Sequence, residues 1–358
     1  TDSSSPVRVG SASDWQSVSA GSDRTCGVRA RVLYCWGLKH LGQIDDWSMD
    51  LLPAREGSVP DWQDVSVGGL HTCGVRAGRL FCWGFNDSGQ TGHGISTRSS
   101  SPLQVGSATD WQSVSAGTSH TCGVRGSSVY CWGDGHYGKL GDATALSPAP
   151  VDSAMDWQGV SAGYGHTCAV RDGSLFCWGH NESGQLGDQT TRDSVAPAQV
   201  GSATDWQNVA AGHNHTCGVR AGSLFCWGGT TTAPVQVGDA TDWQSVSAGG
   251  SHACGARAGR LYCWGGNNSG QLGDGTTTAS SAPVQVGDAT DWQSVSAGEI
   301  HTCGVRAGRL SCWGFYGPST GSLSPMRVGS ATDWQSVSAG LFHTCGVRAD
   351  GLYCWGVN

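Results

Sequence analysis

The sequence predicts an all-β fold, a single β-propeller with eight blades of four short strands each. Two observations carry this prediction. The chain contains eight copies of one repeat, and its sixteen cysteines fall into eight pairs of identical spacing. No segment shows the periodicity of an amphipathic helix, which argues against a helical bundle or an α/β fold. We therefore expect residues 1–358 to form one propeller domain.

Each repeat reads as four strands. A Pro-Val-x-Val segment such as 234–237 comes first, and a second segment, 243–249, starts at the tryptophan of an Asp-Trp pair. The cysteines lie in a third and a fourth segment, and a polar loop such as 181–187 follows. Successive Asp-Trp tryptophans lie 37 to 49 residues apart, and the variation falls almost wholly in the loop after Cys-Trp-Gly. A four-stranded repeat of this length is typical of a propeller blade.

The two cysteines of each repeat face each other across a β-hairpin. With a two-residue turn at 77–78, Arg76 pairs with Arg79 and Cys73 with Cys82. This register places the cysteines at a non-hydrogen-bonded site, where the Cα atoms of paired strands are closest and a disulfide fits. We therefore expect eight disulfides, each inside one hairpin: Cys26 with Cys35, Cys73 with Cys82, Cys122 with Cys131, Cys168 with Cys177, Cys217 with Cys226, Cys254 with Cys263, Cys303 with Cys312, and Cys345 with Cys354.

Glycine at the hairpin turn supplies the positive φ that a two-residue turn requires. Most repeats have it, as at Ala77-Gly78. Two repeats depart from the pattern. The first has Ala30-Arg31 without glycine, and the last has Asp350-Gly351, shifted by one residue. We expect a different loop in the last repeat.

The two ends of the chain complement each other. The sequence starts with the first strand of a repeat, Pro6–Val9, and stops after Cys354-Trp355-Gly356, one such strand short of a further repeat. If that strand is the outer edge of the preceding blade, residues 6–9 complete the C-terminal blade. Closure of this kind protects the terminal strand edges from aggregation.

Composition and charge exclude several classes of function. The net charge is −8 and only two lysines occur, Lys39 and Lys139, which speaks against a nucleic-acid partner. No apolar stretch is long enough to insert in a membrane. Sixteen paired cysteines indicate an oxidising compartment, and the N-terminus reads as a mature end after removal of a leader, so we expect a secreted, extracellular protein.

The repeated phrases Ser-Ala-Gly-x-x-His-Thr-Cys-x-Val-Arg, Leu-Tyr-Cys-Trp-Gly and Asn-x-x-Gly-Gln-Leu-Gly cover nearly the whole chain. They resemble the repeat of the regulator-of-chromosome-condensation family, here as a disulfide-rich variant. The resemblance implies a propeller whose ends close within a shared blade. Family members usually have seven blades, whereas this chain has eight repeats.

The resemblance leaves the function open, since one fold serves many functions. The founding member is a nuclear exchange factor that acts on chromatin, a role that the acidic charge and the cysteines disfavour here. A plant ultraviolet photoreceptor of the family uses tryptophans just before the repeat's His-Thr. None of the equivalent positions here, such as Tyr164, is tryptophan. A secreted bacterial member inhibits β-lactamases through one propeller face, which is an analogy for protein binding by loops.

Residues that recur in every repeat read as structural rather than catalytic. Two cysteines and a histidine such as His71 are reasonable zinc ligands, but the first repeat has Arg24 in place of the histidine. A ring of seven repeat histidines is alternatively a metal or pH-sensing site, against the simpler interpretation of a hydrogen bond that fixes a turn within each blade. No catalytic motif occurs. We expect no enzymatic activity, no metal and no cofactor.

Residues that interrupt the repeat are the better candidates for binding, because loops on a rigid scaffold carry function. The most divergent loop is predicted over 38–60. Exposed aromatic and apolar residues in such loops make good protein contacts. The candidate partner-binding residues are Trp47, Met49, Leu51, Phe85, Tyr137, Phe315 and Tyr316.

Four Asn-x-Ser/Thr sequons are candidate glycosylation sites, and three of them lie in polar loops where a glycan would be exposed. They are Asn86, Asn181, Asn214 and Asn267. The sequence as a whole predicts a secreted, non-enzymatic protein-interaction module, either an inhibitor or a component of an extracellular assembly. A glycan-binding, lectin-like propeller is the alternative, and a nuclear exchange or chromatin-binding role is less favoured. The partner is then an extracellular protein or glycan. The oligomeric state stays open.

Overall fold

Eight antiparallel sheets of four strands each surround a central channel in the computed structural model of this chain. The structure describes residues 3–9, 11–22, 24–40, 47–55, 61–141, 145–229, 231–317 and 320–356. Each sheet is one blade, and its first strand lies against the channel. The prediction of an eight-bladed all-β propeller is confirmed. Among the described residues, no helix has the length and apolar character to cross a bilayer.

Blades are numbered 1 to 8 by their inner strands, and strands β1 to β32 along the chain. Blade 1 contains β2 (Trp15–Ala20), β3 (Arg24–Arg29), β4 (Val32–His40) and β5 (Trp47–Arg55). Blade 2 contains β6 (Trp62–Val67), β7 (His71–Arg76), β8 (Arg79–Gly84) and β9 (Ser99–Gln104). Blade 3 contains β10 (Trp111–Ala116), β11 (His120–Arg125), β12 (Ser128–Gly133) and β13 (Ala149–Pro150), with a 3-10 turn at His136–Gly138. Blade 4 contains β14 (Trp157–Ala162), β15 (His166–Arg171), β16 (Ser174–Gly179) and β17 (Ser194–Gln199).

The remaining four blades repeat this order. Blade 5 contains β18 (Trp206–Ala211), β19 (His215–Arg220), β20 (Ser223–Gly228) and β21 (Thr231–Gln236). Blade 6 contains β22 (Trp243–Ala248), β23 (His252–Arg257), β24 (Arg260–Gly265) and β25 (Ser280–Gln285). Blade 7 contains β26 (Trp292–Ala297), β27 (His301–Arg306), β28 (Arg309–Gly317) and β29 (Thr320–Arg327). Blade 8 contains β30 (Trp334–Ala339), β31 (His343–Arg348), β32 (Gly351–Gly356) and β1 (Ser3–Arg8).

All eight predicted disulfides are present, one in the hairpin between the second and third strands of each blade. In every hairpin the two cysteines are directly opposite each other, as Cys73 and Cys82 are across β7 and β8. Their Cα atoms are 4.1 to 4.2 Å apart. In blade order the bonds join Cys26 with Cys35, Cys73 with Cys82, Cys122 with Cys131, Cys168 with Cys177, Cys217 with Cys226, Cys254 with Cys263, Cys303 with Cys312, and Cys345 with Cys354.

The last hairpin has the same register as the others, but its turn differs, as expected: neither Ala349 nor Asp350 has the positive φ that both residues of the other seven turns adopt. Arg348 pairs with Gly351, and the turn is therefore Ala349-Asp350. The glycine has moved from the turn to the first position of β32, and the cysteines remain opposite each other.

Blade 1 shows that glycine is not indispensable at this turn. Ala30 and Arg31 both adopt positive φ, 45° and 61°. This is the conformation that a two-residue hairpin turn requires and that glycine adopts without steric cost.

The segment 38–60 is not a long loop as predicted. Strand β4 continues to His40 and β5 starts at Trp47, with Leu38 opposite Met49, so that part of the segment is an extended hairpin. Blade 7 has a similar extension, in which Phe315 pairs with Gly321. The sequence signal that predicts such an extension is an alternation of apolar and polar residues within an insertion that otherwise departs from the repeat.

The apolar core is divided into eight clusters, one at each junction between neighbouring blades. Trp62 of blade 2 packs against the disulfide of Cys26 and Cys35 in blade 1, together with Trp83 from its own blade. The same arrangement recurs at every junction, including that between blades 8 and 1. The cystines therefore contribute buried apolar surface to the contact between blades as well as a covalent link within one.

The N-terminal strand closes the ring, as predicted. Strand β1 pairs with β32, with Val7 opposite Cys354, and the Val9 N–H donates to the Leu352 carbonyl at 2.7 Å. The strand is Ser3–Arg8 and so begins earlier than the predicted 6–9. Val9 is buried in the cluster that joins blades 8 and 1.

Removal of residues 1–10 is expected to lower the melting temperature, because it takes away the outer strand of blade 8 and the buried Val9. A Val7→Ser variant is the control, since Val7 is 55% exposed and its backbone pairing is retained. Differential scanning calorimetry under non-reducing conditions measures both. An unchanged melting temperature after the truncation contradicts this closure.

Candidate functional site

The two faces of the ring differ in how uniform they are. The lower face carries the hairpin turns, and the turns of blades 1 to 7 are bonded to the start of the next inner strand, as where the Trp111 N–H donates to Gly78 O at 2.9 Å. The upper face carries the ends of the inner strands and the loops after Cys-Trp-Gly. These two parts are also bonded to each other, for example by the Phe85 N–H to Leu70 O at 2.9 Å. Lower-face residues recur in nearly every repeat, whereas on the upper face the residue directly after the Ala-Gly pair and the length of the loop after Cys-Trp-Gly differ between repeats.

The mouth of the central channel lies at the centre of the upper face. A cavity of about 230 Å³ opens there, and Ala-Gly pairs from the ends of the inner strands form most of its wall. One further residue per blade, directly after that glycine, completes the rim. These eight rim residues are Ser22, Gly69, Thr118, Tyr164, His213, Gly250, Glu299 and Leu341.

Three rim residues form a cluster of side chains. The ring centres of Tyr164 and His213 lie 3.8 Å apart in an edge-to-face arrangement. His213 Nδ1 lies 3.3 Å from Glu299 Oε1. The Tyr164 side chain is about half exposed, at 49%. The cluster therefore presents an aromatic ring, an imidazole and a carboxylate to whatever enters the channel mouth.

Aromatic residues from the outer loops and from blade 8 extend this surface. Tyr137 packs against His180 with the two rings tilted and their centres 4.4 Å apart. Phe315 and Phe342 are each about two-fifths exposed. Beside Tyr137, the buried Lys139 Nζ donates to Asp134 Oδ2 at 2.6 Å, a contact that anchors the loop of blade 3.

The predicted binding residues fall into three groups. Tyr137 and Phe315 are exposed on the upper face. Phe85 is half-buried beneath the Arg98 guanidinium, whose carbon lies 4.1 Å from the ring centre. Trp47, Met49 and Leu51 lie in strand β5; their side chains, and that of Tyr316, lie outside the described residues.

The sequence prediction missed the rim cluster and Phe342. Tyr164, His213 and Glu299 occupy the position just after Ala-Gly. The other blades have Ser, Gly, Thr or Leu at this position. The signal in the sequence is that this position varies from blade to blade, whereas the Ala-Gly pair before it is nearly constant. The sequence alone does not show that the three residues are close together; the ring geometry does, because it brings blades 4, 5 and 7 to one opening.

Three of the four sequons are buried, so the expectation that they are exposed is wrong for them. Asn86, Asn181 and Asn267 have no exposed surface, and their amides hold the polar loops in shape. Asn86 Nδ2 donates to Ile95 O and Thr97 O at 2.7 and 2.9 Å. A glycan on such a nitrogen does not fit the folded loop. Asn214, which is exposed beside His213, stays a candidate.

The repeat histidines link neighbouring blades rather than fix a turn within one blade. Their Nε2 atoms lie 2.6 to 2.9 Å from the threonine Oγ1 of the next blade, at six junctions: His71–Thr121, His120–Thr167, His166–Thr216, His252–Thr302, His301–Thr344 and His343–Thr25. The neighbouring cysteine sulfurs are bonded to each other in disulfides. Neither these sulfurs nor the hydrogen-bonded Nε2 atoms are therefore available to zinc. Among the described residues, no group of three or more possible ligand side chains could hold a metal ion.

Two junctions lack this link because the sequence departs from the repeat. Between blades 5 and 6, Ala253 replaces the threonine, and the buried His215 Nε2 has no hydrogen-bond partner. Between blades 1 and 2, Arg24 replaces the histidine, and its guanidinium carbon lies 5.8 Å from the ring centre of Trp83.

The buried histidines are neutral in the folded protein. Desolvation lowers the pKa to about 4 for His71, His215 and His343 and to about 3 for His166, His252 and His301. The pKa of His120 is lowered well below its ordinary value for the same reason. Burial without a charged partner disfavours the imidazolium.

The fold and its repeat define a class of disulfide-stapled β-propellers whose four-stranded blades are joined by histidine, threonine and tryptophan. Models of the regulator of chromosome condensation (RCC1) repeat match residues 77–124, 127–170, 172–219 and 258–305, and a second model of that repeat matches 157–185 and 334–358. The chain belongs to the RCC1-repeat family. The resemblance drawn from the sequence is thus confirmed. No curated protein sequence matches the chain.

Several solved structures have a similar fold. Human WBSCR16 is 17% identical over 92% of this chain and 99% of its own, with a TM-score of 0.71. Prp20p of Saccharomyces cerevisiae, described as binding Gsp1p and histones, is 17% identical over 96% and 83%, with a TM-score of 0.62. The ectodomain of the Physcomitrella patens receptor kinase CR4 is 22% identical over 83% and 73%, with a TM-score of 0.50. At these identities the likeness concerns the fold alone.

An Ala253→Thr variant is expected to stabilise the protein by about 0.5–1.5 kcal/mol, because its hydroxyl gives the unpaired His215 Nε2 the partner that six other junctions have. Ala253→Val is the matched control, since valine has nearly the same shape without the hydroxyl. Guanidinium chloride unfolding at pH 7.5 or so measures the difference between the two. Equal free energies of unfolding for the threonine and valine variants contradict the missing bond.

Stability is expected to fall as the pH drops from about 6.5 towards 4. An unfolded chain protonates its histidines near 6.5, whereas the folded chain does so only near 3 to 4. The unfolded state therefore binds more protons in this window, and the free energy of unfolding decreases with falling pH, by up to ~1.4 kcal/mol per pH unit for each histidine. Above 6.5 this contribution is fully present and constant.

Equilibrium unfolding as a function of pH tests this expectation. A His136→Gln variant serves as the control, because the side chain of His136 is 84% exposed and its removal leaves the buried histidines in place. A free energy of unfolding that stays level between pH 7 and about 5 contradicts the neutral, buried histidines.

Proposed function

We propose that this protein is a secreted, non-enzymatic interaction module that binds a partner protein through its upper face. An RCC1-repeat propeller supports a protein-interaction role in general terms. The single observation that carries the finer proposal is the segregation of sequence variation. The rim residues and loops that differ most between otherwise near-identical blades lie on one face, while the opposite face has a two-residue hairpin turn in every blade.

Exposed aromatic residues on that face support protein contact. Tyr137, Tyr164, Phe315 and Phe342 have large exposed surfaces. Aromatic side chains of this kind supply much of the binding energy of protein interfaces at low entropic cost. Their rigid mounting on disulfide-stapled blades reduces the ordering cost of association further.

Eight disulfides support an oxidising, extracellular location, because reducing compartments keep thiols unpaired. The net charge of −8 disfavours the chromatin-associated role of nuclear relatives. A binding role is favoured over catalysis because glycine and alanine, which carry no reactive group, form most of the central cavity wall. The partner is then an extracellular protein.

A combined Tyr164→Ala, Phe315→Ala, Phe342→Ala variant is expected to lose capture of the partner from the extracellular fluid of the source organism, by at least about tenfold. The matched control is a triple variant at equally exposed apolar residues outside the upper face: Leu103→Ala, Met155→Ala and Val235→Ala. Captured proteins are compared by quantitative mass spectrometry against the wild-type chain.

Capture that is equal for both variants contradicts the upper face as the binding surface. A glycan array run in parallel addresses the lectin-like alternative. Strong sugar binding without a captured protein would replace the proposed function with glycan recognition.

A further inference from the structure

The channel mouth carries a negative charge without a matching lysine or arginine. Among the described residues that line the cavity, Glu299 is the single carboxylate, and the others are uncharged apart from the titratable His213 and Tyr164. A carboxylate attracts a cation and repels an anion. The rim thus has a defined electrostatic preference at the centre of the upper face.

Glu299 can occupy this position because the neighbouring rim residue has no side chain. It belongs to blade 7, yet its carboxylate reaches across blade 6 to His213 of blade 5. Blade 6 has Gly250 at the rim, and a Cβ atom there would collide with the carboxyl carbon and both carboxylate oxygens of Glu299. The missing side chain therefore makes the room in which the carboxylate lies.

A protein that covers the upper face would remove this carboxylate from water. Glu299 is about one-third exposed, and a charge that is buried without a partner destabilises the complex strongly. His213 offers a full positive charge only when it is protonated. The partner itself must therefore bring a cation to the centre of the interface.

We propose that the channel mouth is a receptor site for an arginine side chain of the partner protein. This inference rests on the proposed function and specifies the side chain of the partner that binds at the centre of the interface. The guanidinium donates to the Glu299 carboxylate and packs against the half-exposed ring of Tyr164. Arginine is favoured over lysine because its planar group both bonds a carboxylate and stacks on an aromatic ring. Interface hot spots are enriched in arginine and lie near the interface centre.

The test uses a small probe, so it is independent of the partner's identity. Nα-acetyl-arginine amide is titrated into the full chain with isotope-labelled tyrosine rings, and binding is followed by NMR at Tyr164, assigned with a Tyr164→Phe variant. The chain has seven tyrosines, which keeps the spectrum simple. Nα-acetyl-citrulline amide is the matched probe, because it has the same shape and no charge.

Saturable shifts at Tyr164 are expected with the arginine probe and not with the citrulline probe. Glu299→Gln is expected to weaken binding by about tenfold or more, since it removes a charged acceptor. Gly250→Ala keeps the charge but displaces the carboxylate, and it is expected to weaken binding as well. Glu182→Gln is the control, because the side chain of Glu182 is 81% exposed and does not line the cavity.

Equal binding of the two probes overturns the inference, and so does an equal loss of affinity in Glu182→Gln and Glu299→Gln. An absence of shifts at Tyr164 overturns it too. Each of these outcomes leaves the upper-face capture experiment unaffected, so failure of the arginine site and failure of the proposed function are distinguishable.

Discussion

The packing of one tryptophan across each junction is the interaction on which the rest of the structure depends. Trp62 lies over Gly74 of its own blade, where a Cβ atom would be 2.8 Å from the indole, and against the disulfide of Cys26 and Cys35 in the preceding blade. The glycine lets the ring approach and the cystine gives it an apolar partner. Eight such tryptophans join the blades, seven over a glycine and Trp157 over Ala169, so no single junction has to hold the ring.

The junctions between blades differ in the polar contacts that they contain. Blades 2, 3, 4 and 6 have a folded loop whose carbonyl accepts from the next blade's tryptophan, as Gln90 O does from Trp132 Nε1 at 3.0 Å. Blade 5 has a short loop instead, and the next blade has Ala253 in place of threonine. The junction between blades 5 and 6 therefore depends more on apolar packing than its neighbours do.

Sequence reasoning succeeded where an interaction lies within one hairpin or follows from the phase of the repeat. The pairing of Cys73 with Cys82 follows from counting nine residues around a two-residue turn, and the closure by β1 follows from the repeat phase. It failed where the partner lies one blade further on. His71 bonds Thr121 of the next blade, which is fifty residues away. The rim cluster combines residues from three different blades, and their proximity is visible only once the blades are arranged in a ring.

The asymmetry of the rim bears on the kind of ligand that the protein recognises. Eight near-identical blades would offer eight equivalent sites if recognition used the repeated residues, as a multivalent sugar binder does. The rim instead places one tyrosine, one histidine and one glutamate among rim residues that are otherwise uncharged and not aromatic. One such opening at the centre of the face supports the proposed single site over a set of equivalent sugar sites. Under the proposed function, the regular scaffold supplies rigidity and the departures from regularity supply specificity.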